Sequence, residues 1–180
     1  MSNRCFSGMF DGCAGLISAP TLPATALSPF CYYGMFSGCT SLATAPTLPA
    51  TDISNANGCY SNMFYGCTSL TSIPALPATS ISAYCYSGMY YNCTSLSKVA
   101  NLPATTLKEQ CYYMMYGGCT NVKVSASSGG EYAYAFRIPK SGSGTTATSA
   151  TWYMFSYTGG TFTGTPDINT TYYTTNQPVG

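Results

Sequence analysis

The chain has 180 residues, of which only 6% are charged, with a formal net charge of +1 and no His. That length suits one domain or one short repeat array and excludes two large globular domains. The six Lys and Arg gather in no patch, which removes the electrostatic grip that DNA, RNA or an anionic membrane requires.

The low charge does not signal disorder, because 46% of residues are apolar and seventeen Tyr and eight Phe run throughout. The surface must instead be covered by Ser, Thr, Asn, Gly and Tyr hydroxyls. No apolar run approaches the roughly 18–20 residues of a membrane-spanning helix. The segment Met1–Gly8 lacks the apolar core of a signal peptide. A chain with this start is expected to reach an extracellular site as part of a particle or by lysis.

Taken in chain order, the sequence repeats. A first cysteine stands at Cys5, Cys31, Cys59, Cys85 and Cys111, and a second follows eight residues later at Cys13, Cys39, Cys67, Cys93 and Cys119. Four residues after each first cysteine comes a methionine (Met9, Met35, Met63, Met89, Met115), followed by Phe10, Phe36, Phe64, Tyr90 or Tyr116. Apolar residues at i, i+4 and i+8, as in Leu27, Cys31 and Met35, predict one stripe of a short α-helix. Thr25, Thr79 and Thr105 are its candidate N-caps. Gly12, Gly38, Gly66, Asn92 and Gly118 are its expected stops, since Gly and Asn tolerate the left-handed conformation at a helix end.

A short strand is expected to begin near Leu16, Leu42, Leu70, Leu96 and Val122 and to close in a Leu-Pro turn. Pro20, Pro46 and Pro74 each remove a ladder donor and shorten it to two or three residues. One such unit cannot bury its own apolar face, whereas stacking five or six makes a continuous core. The fold expected is therefore an α/β solenoid, a right-handed array of short strands and short helices. Residues 1–124 hold five units of 26–28 residues, the first one incomplete, with a stacking face left uncovered.

Residues 125–180 break the period. Ser127-Ser128-Gly129-Gly130 followed by Tyr132, Tyr134 and Phe136 in alternation reads as an inserted hairpin. Ile138-Pro139, Met154-Phe155 and Gly159-Gly160 then echo the turn, the Met-aromatic pair and the stop of a degenerate sixth unit, which is expected to act as a cap.

Two cysteines eight residues apart on a helix stand roughly 10–12 Å apart, beyond the ~7 Å reach of a disulfide. Zinc lacks its ligands too, for there is no Cys-x-x-Cys and no His. The thiols read as small buried hydrophobes in a ladder, with bridges between neighbouring units as the alternative. No enzyme is expected: a Ser-His or Cys-His relay cannot be assembled, the five acids are scattered, and no phosphate-binding loop occurs. No cofactor or metal is expected either.

The strings Met-Phe-Ser-Gly-Cys-Thr-Ser-Leu (35–42) and Met-Phe-Tyr-Gly-Cys-Thr-Ser-Leu (63–70) resemble the BspA-like class of bacterial leucine-rich repeats, over about residues 1–124. The resemblance implies adhesion, as in surface proteins of gut bacteria and in phage tail or head fibres. The leading expectation is thus an extracellular recognition module, on a virion or bacterial surface, that binds a glycan or a protein receptor. Tyr132, Tyr134, Trp152 and Tyr157 are the candidate binding residues, because the period does not explain them. The Tyr32, Tyr60, Tyr86 and Tyr112 column reads instead as packing. The alternatives are a structural virion or filament subunit that forms homo-oligomers or docks on another protein through its repeat ends, and an ice-binding solenoid presenting Thr40, Thr68, Thr94 and Thr120.

Overall fold

The computed structural model describes all residues from Met1 to Gly180. It contains no helix, and its only strands are β1 (Val124–Ser125), β2 (Tyr134–Arg137) and β3 (Thr171–Thr174). The expected α/β solenoid of leucine-rich-repeat type is therefore wrong, in its helices and in its strands alike.

What replaces the helices is a run of β-turns. In residues 58–67 the amides alternate in direction. Ser61, Met63, Tyr65 and Cys67 donate three residues back along the chain, to Gly58, Tyr60, Asn62 and Phe64. Gly58, Tyr60, Asn62, Phe64 and Gly66 instead donate across to Ala83, Cys85, Ser87, Met89 and Tyr91 of the next coil, at 2.8–3.0 Å. The same pattern recurs over 4–13, 30–39, 84–93 and 110–119, and we call these stretches and 149–158 coils 1 to 6. Every fourth residue has a positive φ, as at Gly58 (60°), Asn62 (54°) and Gly66 (68°). That is the third place of a turn which Gly and Asn occupy most easily.

The repeating unit is thus four residues. A left-handed residue is followed by an inward Cys or Met, an inward ring and an outward residue. Cys, Met and Cys fall at i, i+4 and i+8 because the turns repeat every four, and a helical stripe has nearly the same spacing. Gly38, Gly66 and their counterparts are not helix stops but the third left-handed step of each coil. Thr25, Thr79 and Thr105 cap nothing.

The strands expected from Leu16, Leu42, Leu70 and Leu96 do not form either. The Pro-rich side of the stack is joined only by isolated parallel bridges, such as Thr44 with Ser72 and Asp52 with Ser80. Proline lacks the amide that would extend them. Near Val122 the chain does enter a strand, β1, which belongs to a different sheet.

The interior is a set of ladders. Phe10, Phe36, Phe64, Tyr90, Tyr116 and Phe155 stack ring on ring with centroids 5.5–5.7 Å apart. Tyr32, Tyr60, Tyr86 and Tyr112 form a second buried stack at 5.7–6.0 Å. Each such contact adds about 0.5–1.5 kcal/mol beyond the area it buries. Met35, Met63, Met89, Met115 and Met154 fill the space beside the rings.

After coil 5 the chain leaves the stack. Gly129 and Tyr132 exchange backbone hydrogen bonds across a tight turn, but β1 and β2 do not pair with each other. β3 lies between them, antiparallel to both. The chain rejoins the stack at Lys140 and Thr145, which bond to Leu102 and Thr105. The last residues return so that Val179 pairs in parallel with Ala100. Gly159 and Gly160 are required here for a reason other than a stop. A Cβ on either would lie 2.1–2.2 Å from backbone atoms of Thr120 or Val124.

Candidate functional site

The four-residue unit sends one side chain in four outward, and in several coils it is aromatic. Tyr33 and Tyr65 follow the buried rings of Tyr32 and Phe64 and are 39% and 41% exposed. Tyr65 stacks on Tyr91 of coil 4, with centroids 5.2 Å apart. Asn62, a left-handed residue of coil 3, donates its Nδ2 to the Tyr33 hydroxyl at 3.3 Å.

These residues border an open groove of about 340 Å³ running across coils 1 to 3. Tyr33 and Tyr65 supply aromatic surface, Asp11 a carboxylate, and Ser7, Ser37 and Asn62 smaller polar groups. Gly8 and Gly34 form part of its floor. The chemistry suits a flat, hydroxyl-rich ligand. A ring face covers the apolar side of a sugar, while a carboxylate and an amide take up its hydroxyls.

Of the residues expected from sequence, Tyr134 and Trp152 line separate clefts that share no wall. Tyr134 stands over a cleft of about 690 Å³ with Asn101, Arg137, Lys140 and Gln177. Its cations are committed to the cap. Arg137 donates to Pro139 O, Gly142 O and Asn169 Oδ1, and Lys140 Nζ donates to Gly180 O at 2.6 Å. With its cations so engaged, the larger cleft keeps Gln177, Thr171 and the Tyr134 hydroxyl as free polar side-chain groups.

Trp152 is half-exposed beside a hollow formed with Thr146, Thr165 and Asp167, and it meets Tyr153 edge to face. It is not outside the period, for it occupies in coil 6 the outward place that Tyr33 and Tyr113 hold in theirs. Tyr157, 76% exposed, stands at a left-handed place equivalent to Gly118. Tyr132 is half-buried at the turn beside Glu131, which is paired with Lys123 at 3.1 Å.

A scan against protein-family models and searches of curated proteins and of solved structures found no match to this chain. Its chemistry is therefore read from its own groups. All ten cysteines are free and eight are buried. Burial pushes the thiols of Cys67, Cys111 and Cys119 up to about 12, which keeps them protonated and poorly nucleophilic near neutral pH. No group of three or more His, Cys, Asp or Glu comes together that could hold a metal. The threonines at 40, 68, 94 and 120 form an exposed column one residue wide.

Tyr33, Tyr65, Asp11 and Asn62 were not singled out by sequence reasoning. A signal for them exists in the aromatic doublets Tyr32-Tyr33, Phe64-Tyr65, Tyr90-Tyr91 and Tyr112-Tyr113. In a four-residue turn the first ring of a doublet points in and the second out. A helical reading gives the doublet no such meaning.

Proposed function

We propose that this protein is a non-enzymatic recognition module that binds glycan on the outer flank of coils 1 to 3. One observation carries the reading: two exposed tyrosines converge with Asp11 and Asn62 in a single groove. The buried ladders use the other ring of each doublet, and the contacts that Tyr33 and Tyr65 make, edge to face with Phe30 and stacked on Tyr91, still leave both rings exposed to the groove. The absence of His and the raised thiol pKa values favour binding over catalysis. An extracellular setting on a virion or bacterial surface rests on the likeness of 35–42 and 63–70 to BspA-like repeats, a likeness of sequence that does not extend to the leucine-rich-repeat fold.

The test is a glycan array probed with the parent chain and with a Tyr33→Ala/Tyr65→Ala variant. Both residues are exposed, so the variant should melt within a few degrees of the parent. Its affinity should fall at least tenfold, the loss expected of a ring anchor worth ~1.4 kcal/mol or more. Binding that survives this change but is lost in a Tyr134→Ala/Trp152→Ala variant would move the site to the cap. An array with no bound glycan would remove the reading altogether.

A further inference from the structure

In coils 1 to 5 the amide of the first left-handed residue and every second amide after it donate to carbonyls of the following coil, as Gln110 N does to Thr148 O and Tyr112 N to Ala150 O. The chain after coil 6 forms no seventh coil. Phe155 N donates instead to Gly164 O at 2.8 Å, and Tyr153 N to Thr165 Oγ1 at 2.9 Å. The counterparts of Gln110 N and Tyr112 N in coil 6, Ser149 N and Thr151 N, find no acceptor, although both residues are buried. Buried amides are almost always paired, so two unpaired ones side by side mark a place where a ligand's acceptors are wanted.

Ser149 and Thr151 line the hollow beside Trp152, which measures about 310 Å³ and lies between coil 6 and residues 165–168. Trp152, the only tryptophan of the chain, is 51% exposed there and meets the protein edge to face at Tyr153. Asp167 brings a carboxylate to the same hollow. The chain's one ion pair joins Lys123 and Glu131, so Asp167 has no cationic partner, and no Lys or Arg lines the hollow. Two donors, one acceptor and a ring face are thus unspent within one concavity.

We propose that this hollow is a second sugar subsite and that it takes an N-acetylated hexosamine. The acetamido carbonyl accepts from one of the two free amides and a sugar hydroxyl oxygen from the other. The acetamido N–H donates to the Asp167 carboxylate, and the pyranose ring lies against the Trp152 face. An acidic sugar is refused, because the only charge in the hollow is negative. A peptide strand fits less well: pairing along coil 6 would carry it on to Tyr153 and Phe155, whose amides Thr165 and Gly164 already hold. The subsite rests on the glycan reading of the groove for its ligand class and shares no residue with it. With one exposed ring against the groove's two it is the weaker site, so an array reports chiefly on the groove.

The test titrates the intact chain with the N-acetylglucosamine trisaccharide and, separately, with the glucose trisaccharide of the same linkage, which lacks the acetamido groups. Trp152 is the sole tryptophan, so its emission reports on this hollow and not on the groove. The acetylated sugar should change that emission and shift the amide resonances of Ser149 and Thr151 in labelled protein. It should also bind at least about tenfold more tightly here than the glucose trisaccharide. These responses should persist in the Tyr33→Ala/Tyr65→Ala variant, and Asp167→Ala should weaken them by about tenfold. Acetylated sugar that binds without moving the emission or the two amides, and is lost in Tyr33→Ala/Tyr65→Ala, would overturn this subsite and leave the groove standing. Equal affinity for the two sugars, or no response to either, would overturn it as well. So would an acetylated peptide that shifts the Ser149 and Thr151 amides where the sugar does not, because the ligand would then be protein.

Discussion

Tyr90 and Tyr116 occupy the same ladder as Phe36 and Phe64, yet each carries a hydroxyl into the core. The two hydroxyls have different fates. Tyr116 Oη accepts the amide of Ala100 at 2.8 Å, a donor that would otherwise be buried without a partner. Tyr90 Oη is buried with no partner at all. An unmade hydrogen bond in the interior costs about 1–3 kcal/mol. Tyr90→Phe should therefore leave stability unchanged or raise it, while Tyr116→Phe should lower it by about 1–3 kcal/mol, both read from urea unfolding. Equal losses in the two variants would contradict the assigned hydroxyl roles. The second cysteines have a comparable local reason. The thiols of Cys39, Cys67, Cys93 and Cys119 each donate to the carbonyl of the ring residue one coil earlier, at 2.9–3.1 Å. Cysteine is small enough to fit the ladder and still supplies a weak donor.

At the scale of the element, the period of the repeat and the identity of its inward residues were legible, and the backbone that carries them was not. Leu27, Cys31 and Met35 fit a helix because 3.6 and 4 residues per turn cannot be told apart over two turns. Two further marks separate them here. Gly or Asn recurs at 34 and 38, at 58, 62 and 66, and at 88 and 92, which a helix would reject at its centre. In coils 1 to 5 both residues following the first and the second left-handed one are apolar, a width that suits two inward places in four. The positive φ at Phe30, Tyr84, Gln110 and Met114 hid this signal. Those residues rarely adopt that conformation and are held there by the stacking on either side. The Pro-rich side misled in the other direction, since its Leu residues are buried as expected while the prolines leave only isolated bridges. The groove at Tyr33 and Tyr65 was hidden for the same reason as the turn. Without the four-residue period there is no outward column on which to place it.

Across the whole molecule, stability resides in continuous ladders of rings, thiols and thioethers with few charges. Its pH dependence should follow from that. Burial raises the thiol of Cys67 from about 9 to about 12, and Cys59, Cys85 and Cys93 are raised in the same direction. The unfolded chain therefore gives up these protons first as pH rises. Stability is fully present below the ordinary thiol value and is lost from about pH 9 upward, by roughly 1.4 kcal/mol per pH unit for each such group. A melting temperature that is level across neutral pH and falls steeply above about pH 9 is the expected profile; a level profile to pH 11 would contradict the burial of the thiols. The coil of four-residue turns is the feature on which the groove and the ladders both depend. It is tested most directly by scalar couplings across hydrogen bonds in labelled protein, which identify the acceptor carbonyl of each amide. The expected couplings run from the amides of Tyr60 and Phe64 to the carbonyls of Cys85 and Met89, and from Ser61 and Met63 to Gly58 and Tyr60. Couplings from each of these amides to the carbonyl four residues earlier would show a helix and contradict it.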